Sequence, residues 1–442
     1  MTDTSFIKIS ELGRRRFLGA TGSAFAALLA GACAPRGAVQ SGAVPYGALV
    51  PDPAGILDLP PGFSYRVISK LGDPMADGLT VPDAADGMGC FALPGGKLAL
   101  VRNHELSPGH DPGGALTSGY GRMPNGDILP GGTTTIVLDA RTLEVERQHR
   151  SLAGTIRNCA GGETPWGSWL TCEEPGGSGL KAAKTHGYVF EVPAAATGLV
   201  DPMPLKAMGR FNHEAVAIDP ASGIAYMTED RDDGLFYRFI PNVPGKFEQG
   251  GELEVLAMVD GPANTRNWDE PAFPRSQAFA VRWIPLDNVE APEDDLRLRG
   301  GAAGAAIFAR GEGVHMGEGE LYFCCTSGGA KKIGQVFRLR PGADGDDRLE
   351  LFFESTDENE LFYGDNLIVA PNGHLIVCED QYTDPVDNHL RGITPQGAAY
   401  PLARLKLQTE LAGACFAPDG KTLFVNIFSP AMTVAITGPW RS

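Results

Sequence analysis

The feature that most restricts what this chain can form is a short unit that recurs along it. Each copy opens on a polar or acidic residue, runs through apolar residues into a Gly/Pro-rich turn, and returns through a second apolar run to another polar or acidic pair. Cys159 leads through the turn at 164–167 into Ser168–Cys172 and then Glu173-Glu174. Glu214 leads through Asp219–Gly223 to Glu229-Asp230, and Asp365 through Ala370–Gly373 to Glu379-Asp380. Glu410 leads through Ala417–Gly420 to Asn426, Glu312 through a Gly-rich turn to Cys325-Thr326-Ser327, and Asp86 through Pro94–Gly96 to Asn103-His104-Glu105. Turn residues between strand formers make a β-hairpin, which brings both polar ends of a unit to one side.

Successive strand exits at 105, 174, 229, 327, 380 and 426 recur at about the length of one propeller blade. A β-propeller closes radially, so hairpin ends from every blade meet around its axis. No helical periodicity competes, and 58 glycines with 34 prolines suit many short strands and turns. The expected fold is all-β: a six-bladed β-propeller over 80–442. The long step between 229 and 327 places an inserted loop region around 241–300. Residues 34–79 read as an extended, Pro/Gly-rich lead-in.

Residues 1–33 read as a twin-arginine signal peptide: Arg14-Arg15-Arg16-Phe17-Leu18 precedes an apolar run ending at Ala32. That run is shorter than the roughly 20 residues a membrane span needs. The expected route is the twin-arginine translocase, which carries folded proteins, and the expected location is the periplasm or the extracellular space. Leu29–Cys33 resembles a lipoprotein box, so membrane contact is expected only if Cys33 is lipidated. The chain's formal charge of −17 argues against nucleic-acid binding, and a monomer is expected. Of eight cysteines, Cys172, Cys324, Cys325 and Cys378 lie in strand runs, and Cys90 and Cys415 have apolar neighbours. These read as small buried hydrophobes rather than disulfide partners. Cys159 stands apart, before Ala160-Gly161-Gly162.

The residues converging on the expected channel mouth are Glu105, Cys159, Glu173, Glu174, Glu214, Glu229, Asp230, Glu312, Asp365, Glu379, Asp380 and Glu410. So many carboxylates cannot stay ionised together in a partly buried funnel unless cations neutralise them. Carboxylate oxygens favour Ca²⁺ or Mg²⁺, and a thiolate adds a place for iron or zinc. No Walker loop, dinucleotide fingerprint, HExxH helix or serine-nucleophile motif is present.

Val101–Glu105, Asn158–Gly162 with Thr164–Glu174, Asn212–Glu214, Thr228–Arg231, Gly364–Leu367 and Cys378–Asp380 together resemble the PhoX family of exported alkaline phosphatases. The resemblance implies hydrolysis of small phosphate monoesters by a cluster of iron (Fe³⁺) and calcium. It implies Cys159, Glu174, Glu214 and Glu312 on the iron side, and Glu105, Glu173, Glu229, Asp365, Glu379, Asp380 and Glu410 on the calcium side. Arg310 matches the family's phosphate-binding arginine, with Arg157 or Arg150 standing where a lysine is expected. Arg310-Gly311-Glu312 departs from the family's Arg-Pro-Glu. The alternatives are a calcium-dependent propeller hydrolase, such as a lactonase or phosphotriesterase, and a non-catalytic propeller that binds a partner.

Replacing Arg14 and Arg15 together by Lys is expected to leave the precursor in the cytoplasm. Cell fractionation checks this, and normal periplasmic yield from the variant would contradict it.

Overall fold

The computed structural model describes residues 45–175, 181–342 and 345–440. The expected signal peptide and Cys33 lie outside them. The six hairpins form as antiparallel pairs: Ala85–Leu93 with Lys97–His104, Asn158–Glu163 with Ser168–Glu173, and His213–Ile218 with Ala225–Glu229. Gly311–Met316 pairs with Leu321–Cys325, Gly364–Val369 with Leu375–Glu379, and Leu411–Phe416 with Thr422–Ile427. The first strands of these pairs pack side by side in chain order, and the last returns to the first. The fold is therefore all-β and propeller-like, with each sheet extending outward from an inner strand.

Among the described residues, hydrogen bonding gathers the strands into five sheets, of five, nine, four, four and three strands. The nine-stranded sheet exists because Ala278–Pro285 pairs with Gly251–Met258 on one side and with Arg348–Glu354 on the other. Both Gly251–Met258 and Ala278–Pro285 fall inside 241–300, so that stretch is not simply a loop. It also holds most of the helix Leu296–Ala302. The alternation of Glu252, Leu253, Glu254 and Val255, with the two aliphatic side chains buried, is the strand signal there.

The lead-in is also part of the fold. Ser64–Lys70 pairs with Met432–Thr437 as the edge of the last sheet, and Leu57–Asp58 pairs with Ala399–Leu405. The compact unit takes in the described residues from 45 onward rather than starting at 80. Strands from near both ends of this unit are thus hydrogen-bonded to each other, which ties the ring shut.

Aromatic and aliphatic side chains fill the space between sheets. Phe236 stacks on Phe323 at 4.3 Å between ring centroids, and Phe323 on Phe337 at 5.3 Å. The seven described cysteines are buried and free. Near the axis the packing is backbone on backbone. Gly87, Ala160, Ala215, Gly313 and Ala414 occupy matching places in five inner strands. A Cβ on Gly87 would come within 2.6 Å of the Ala160 Cα, and one on Gly313 within 2.5 Å of the Leu367 nitrogen. Among the described residues no helix is long and apolar enough to cross a membrane.

Gly87→Ala is therefore expected to cost about 1–3 kcal/mol, the usual scale of overpacking, read as a lower urea midpoint. Gly301→Ala is the control. It has open space around it within the helix Leu296–Ala302, and should be neutral or stabilising by up to about 1 kcal/mol.

Candidate active site

Every inner hairpin slips register at the same place. The slips lie between Ala85 and Met88, Asn158 and Gly161, His213 and Val216, Gly311 and Val314, Gly364 and Leu367, and Ala412 and Cys415. A bulge bends its strand and re-aims a side chain. The residue that follows the start of each slip is Asp86, Cys159, Glu214, Glu312, Asp365 and, in the last unit, Gly413. The first five of these side chains line one cavity of about 80 Å³.

A second position in five units, and a third in two of them (Arg157 and Arg310), add to the cavity wall. The residue at the end of the second strand's run (Glu105, Glu174, Asp230, Thr326 or Asp380) donates its N–H to the carbonyl of Ala84, Arg157, Asn212, Arg310 or Tyr363, at 2.9–3.3 Å. All five of the donors line the cavity. Four of the acceptors hold a left-handed backbone: Ala84 (φ 53°), Arg157 (41°), Arg310 (54°) and Tyr363 (55°). Non-glycine residues adopt that conformation at a cost that the surrounding structure must hold in place. Arg157, Asn212 and Arg310 thus take one position in three consecutive units, and all three line a polar recess of about 460 Å³ at the mouth.

The tandem acids divide by strand alternation, which turns neighbouring side chains to opposite faces. Glu174, Asp230 and Asp380 face the cavity. Glu173, Glu229 and Glu379 turn into their own sheets, and the structure does not bring them to the cavity. Glu173 accepts from the Ile156 N–H (3.1 Å) and the Gly187 N–H (2.9 Å) and pairs with His186 Nδ1 (2.6 Å). Glu229 accepts from the Leu235 N–H (3.2 Å) and the Tyr237 hydroxyl (2.8 Å). Glu379 accepts from the Phe362 N–H (2.9 Å), the His389 N–H (3.0 Å) and Arg391 Nε (2.7 Å). Each anchors the loop that carries its neighbour.

Ligand atoms of Cys159, Glu174 and Glu214 lie within 4.8 Å of one another, as do those of Glu214, Glu312 and Asp365. Glu214 is common to both groups. Burial, reinforced by neighbouring acids, pushes Glu174 up to about 8 and Asp365 up to about 7. The same causes lift Asp86, Glu214, Glu312 and Glu410 well above the carboxyl range. The Cys159 thiol is raised by burial and then by Glu174 and Glu214. Against this acid the cavity sets two guanidinium groups. Arg157 bridges Glu105 and Glu174, each at 2.8 Å. Arg310 grips Asp230 through two bonds, of 2.7 and 3.0 Å, and reaches Glu312 at 3.1 Å. Arg150 is elsewhere, buried and donating to the carbonyls of Leu152 and Gly131.

Asp86, Thr326 and Tyr382 are the three cavity residues absent from the expected set. Asp86 was findable, because it opens its repeat unit where Cys159 opens another. Tyr382 lies beyond the end of a unit, where the repeat carries no signal.

The model of a family described as alkaline phosphatase PhoX matches residues 44–139 and 132–431. The structure is similar to that of Pseudomonas fluorescens PhoX in complex with vanadate, a transition state analogue, with TM-score 0.68 and 19% identity over 87% of this chain and 96% of that one. It is also similar to a gluconolactonase from Xanthomonas campestris, with TM-score 0.38 and 15% identity over 89% and 98% of the two chains. No curated protein matches the chain.

The raised carboxyls set a pH dependence for the metal-free chain. Folded, they keep protons that the unfolded chain releases near 4.5. The folded state then binds more protons, so stability is greatest below that value and is lost as pH rises toward about 8. Thermal melts in chelator are expected to show a midpoint falling across that window, and added Ca²⁺ should restore most at the alkaline end. A flat profile would contradict this.

Proposed function

The chain belongs to the PhoX alkaline phosphatase family, and from that premise we propose that it is an exported metal-dependent enzyme that hydrolyses small phosphate monoesters with iron and calcium. The observation that carries the reading is a thiol and nine carboxyls facing two arginines across one cavity. In this reading the nine-stranded sheet counts as two blades joined edge to edge, six blades in all. The protein leaves through the twin-arginine translocase and works as a monomer in the periplasm or outside the cell, held at a membrane only if Cys33 is lipidated.

The residues present fit a cation cluster. The Asp86 Oδ1 atom is buried with no hydrogen-bond partner, a costly state for a carboxyl unless something positive meets it. Cys159, Glu174 and Glu214 combine one soft donor with two hard ones, which suits iron, with Glu312 beside them. Asp86, Glu105, Asp365, Asp380 and Glu410 offer oxygen alone, which suits calcium. Glu173, Glu229 and Glu379 then serve by fixing the adjoining ligand loops. When bound, such cations supply Lewis acidity toward phosphoryl oxygens and offset the negative charge that builds during phosphoryl transfer.

The chain's own contribution is positioning. The Arg157 and Arg310 guanidinium groups reach the cavity from units either side of Asn212, and each can exchange a carboxylate contact for a phosphoryl oxygen through charge-assisted hydrogen bonds. Their left-handed backbones, each carrying a hydrogen bond from a cavity residue, fix where those groups start. Vanadate, which the similar Pseudomonas protein binds, is an oxyanion that would meet the same two groups here.

Arg310→Ala is expected to lower kcat/KM for a phosphomonoester by about 10²–10³, the scale of one lost transition-state contact. Cys159→Ser should strip iron, measured by elemental analysis, and abolish turnover, whereas Cys378→Ser should do neither. A wild-type protein without phosphomonoesterase activity, or a Cys159→Ser variant that keeps its iron, would overturn the reading.

A further inference from the structure

Among the described residues lining the reacting cavity, Tyr382 is the one aromatic; all the others are acids, arginines, a cysteine or a threonine. Single exposed aromatics are common on protein surfaces, but this one is held in place at a functional mouth. Its residue surface is 67% exposed, yet its hydroxyl donates to Asp380 Oδ2. Its ring lies 5.9 Å from that of Tyr363, which lies 4.7 Å from Phe362. Tyr363 is fixed in turn, since its carbonyl accepts the Asp380 N–H at 2.9 Å.

The mouth is therefore two-sided. Arg157, Asn212 and Arg310 give one flank, continued by Arg231 and Asp232, and it is polar throughout. Tyr363 takes the same position in the next unit, where Tyr382 stands in front of it. A phosphoryl group held by the two arginines leaves its ester substituent at the rim. A flat apolar substituent cannot displace water from the charged flank without cost. It can stack on the Tyr382 ring, whose edge is already tied down and loses little freedom on binding.

Building on the phosphatase reading, we propose that Tyr382 is a specificity-determining subsite that binds the leaving group and favours phosphate monoesters with planar aromatic leaving groups over aliphatic ones. The hydroxyl contact with Asp380 positions the ring, and the ring face does the recognising.

The experiment compares kcat/KM for phenyl phosphate and ethyl phosphate on the metal-loaded enzyme, for wild type, Tyr382→Leu and Tyr382→Phe. The ratio of the two esters cancels any general loss of activity, and the change between variants cancels their intrinsic reactivities. Tyr382→Leu is expected to lower the phenyl-to-ethyl ratio by about two- to ten-fold, the range of one aromatic stacking contact, mostly through KM. Tyr382→Phe, which keeps the ring, should keep the ratio. Where turnover is too low, calorimetric binding of phenylphosphonate against methylphosphonate reads the same ratio. An unchanged ratio in Tyr382→Leu, or an equal loss in Tyr382→Phe, would overturn the subsite and leave the phosphatase reading standing. A wild type that hydrolyses neither ester would overturn both.

Discussion

Nine carboxyls and one thiol share a cavity of about 80 Å³, and in that space they cannot all carry charge without a counter-charge. The rest of the structure is arranged around that conflict. The metal-free chain answers it by holding protons on groups such as Glu174 and Asp365, and by setting Arg157 and Arg310 among the acids. Neither answer is complete, as the unpartnered Asp86 oxygen shows. A buried acidic cluster does not hold a fold together by itself. The clusters of Phe, Leu, Val and buried Cys between sheets, and the edge pairing of Ser64–Lys70 with Met432–Thr437, supply the stability that lets the cavity exist.

One local device, used in each unit, makes the cavity. The bulge turns one side chain inward, the strand end turns a second, and in two units the residue before the bulge, Arg157 or Arg310, supplies a third. The last unit keeps the geometry and drops the chemistry: its three positions are Gly413, Ile427 and Leu411, and it contributes only Glu410. Its Gly413, at φ 57°, leaves room for the Asp86 carbonyl, which a Cβ there would approach to 2.3 Å. The asymmetry matters for function. It spreads acids across the cavity while leaving Arg157 and Arg310 on one arc of the mouth and Tyr382 on the other.

Much of this was legible in the residues. The hairpin repeat, the turn chemistry and the matching acids were enough to expect an all-β ring with its chemistry at one mouth, and they named Cys159, Glu174, Glu214, Glu312 and Asp365 together. What escaped was finer than the repeat. Glu173, Glu229 and Glu379 look equivalent to their neighbours in composition, and only the two-residue period of a strand separates them. Asp86 was visible as the start of a unit but lacked the tandem acids that marked three of the others. Strand pairing across 241–300 and the return of Ser64–Lys70 to the last sheet depend on distant partners, for which local pattern holds no record. Tyr382 is placed by a loop and is recognisable only once the cavity exists.

In the proposed reading, the cavity's protons stand in for cations. Titrating Ca²⁺ into the metal-free protein in weakly buffered solution at pH 7 tests it directly, by following released protons beside bound metal. Metal that must deprotonate its ligands releases protons as it binds, so uptake should be accompanied by proton release that diminishes as the pH is raised above about 8, the value to which Glu174 is lifted. Calcium binding with no proton release at pH 7, or no calcium binding at all, would contradict the account.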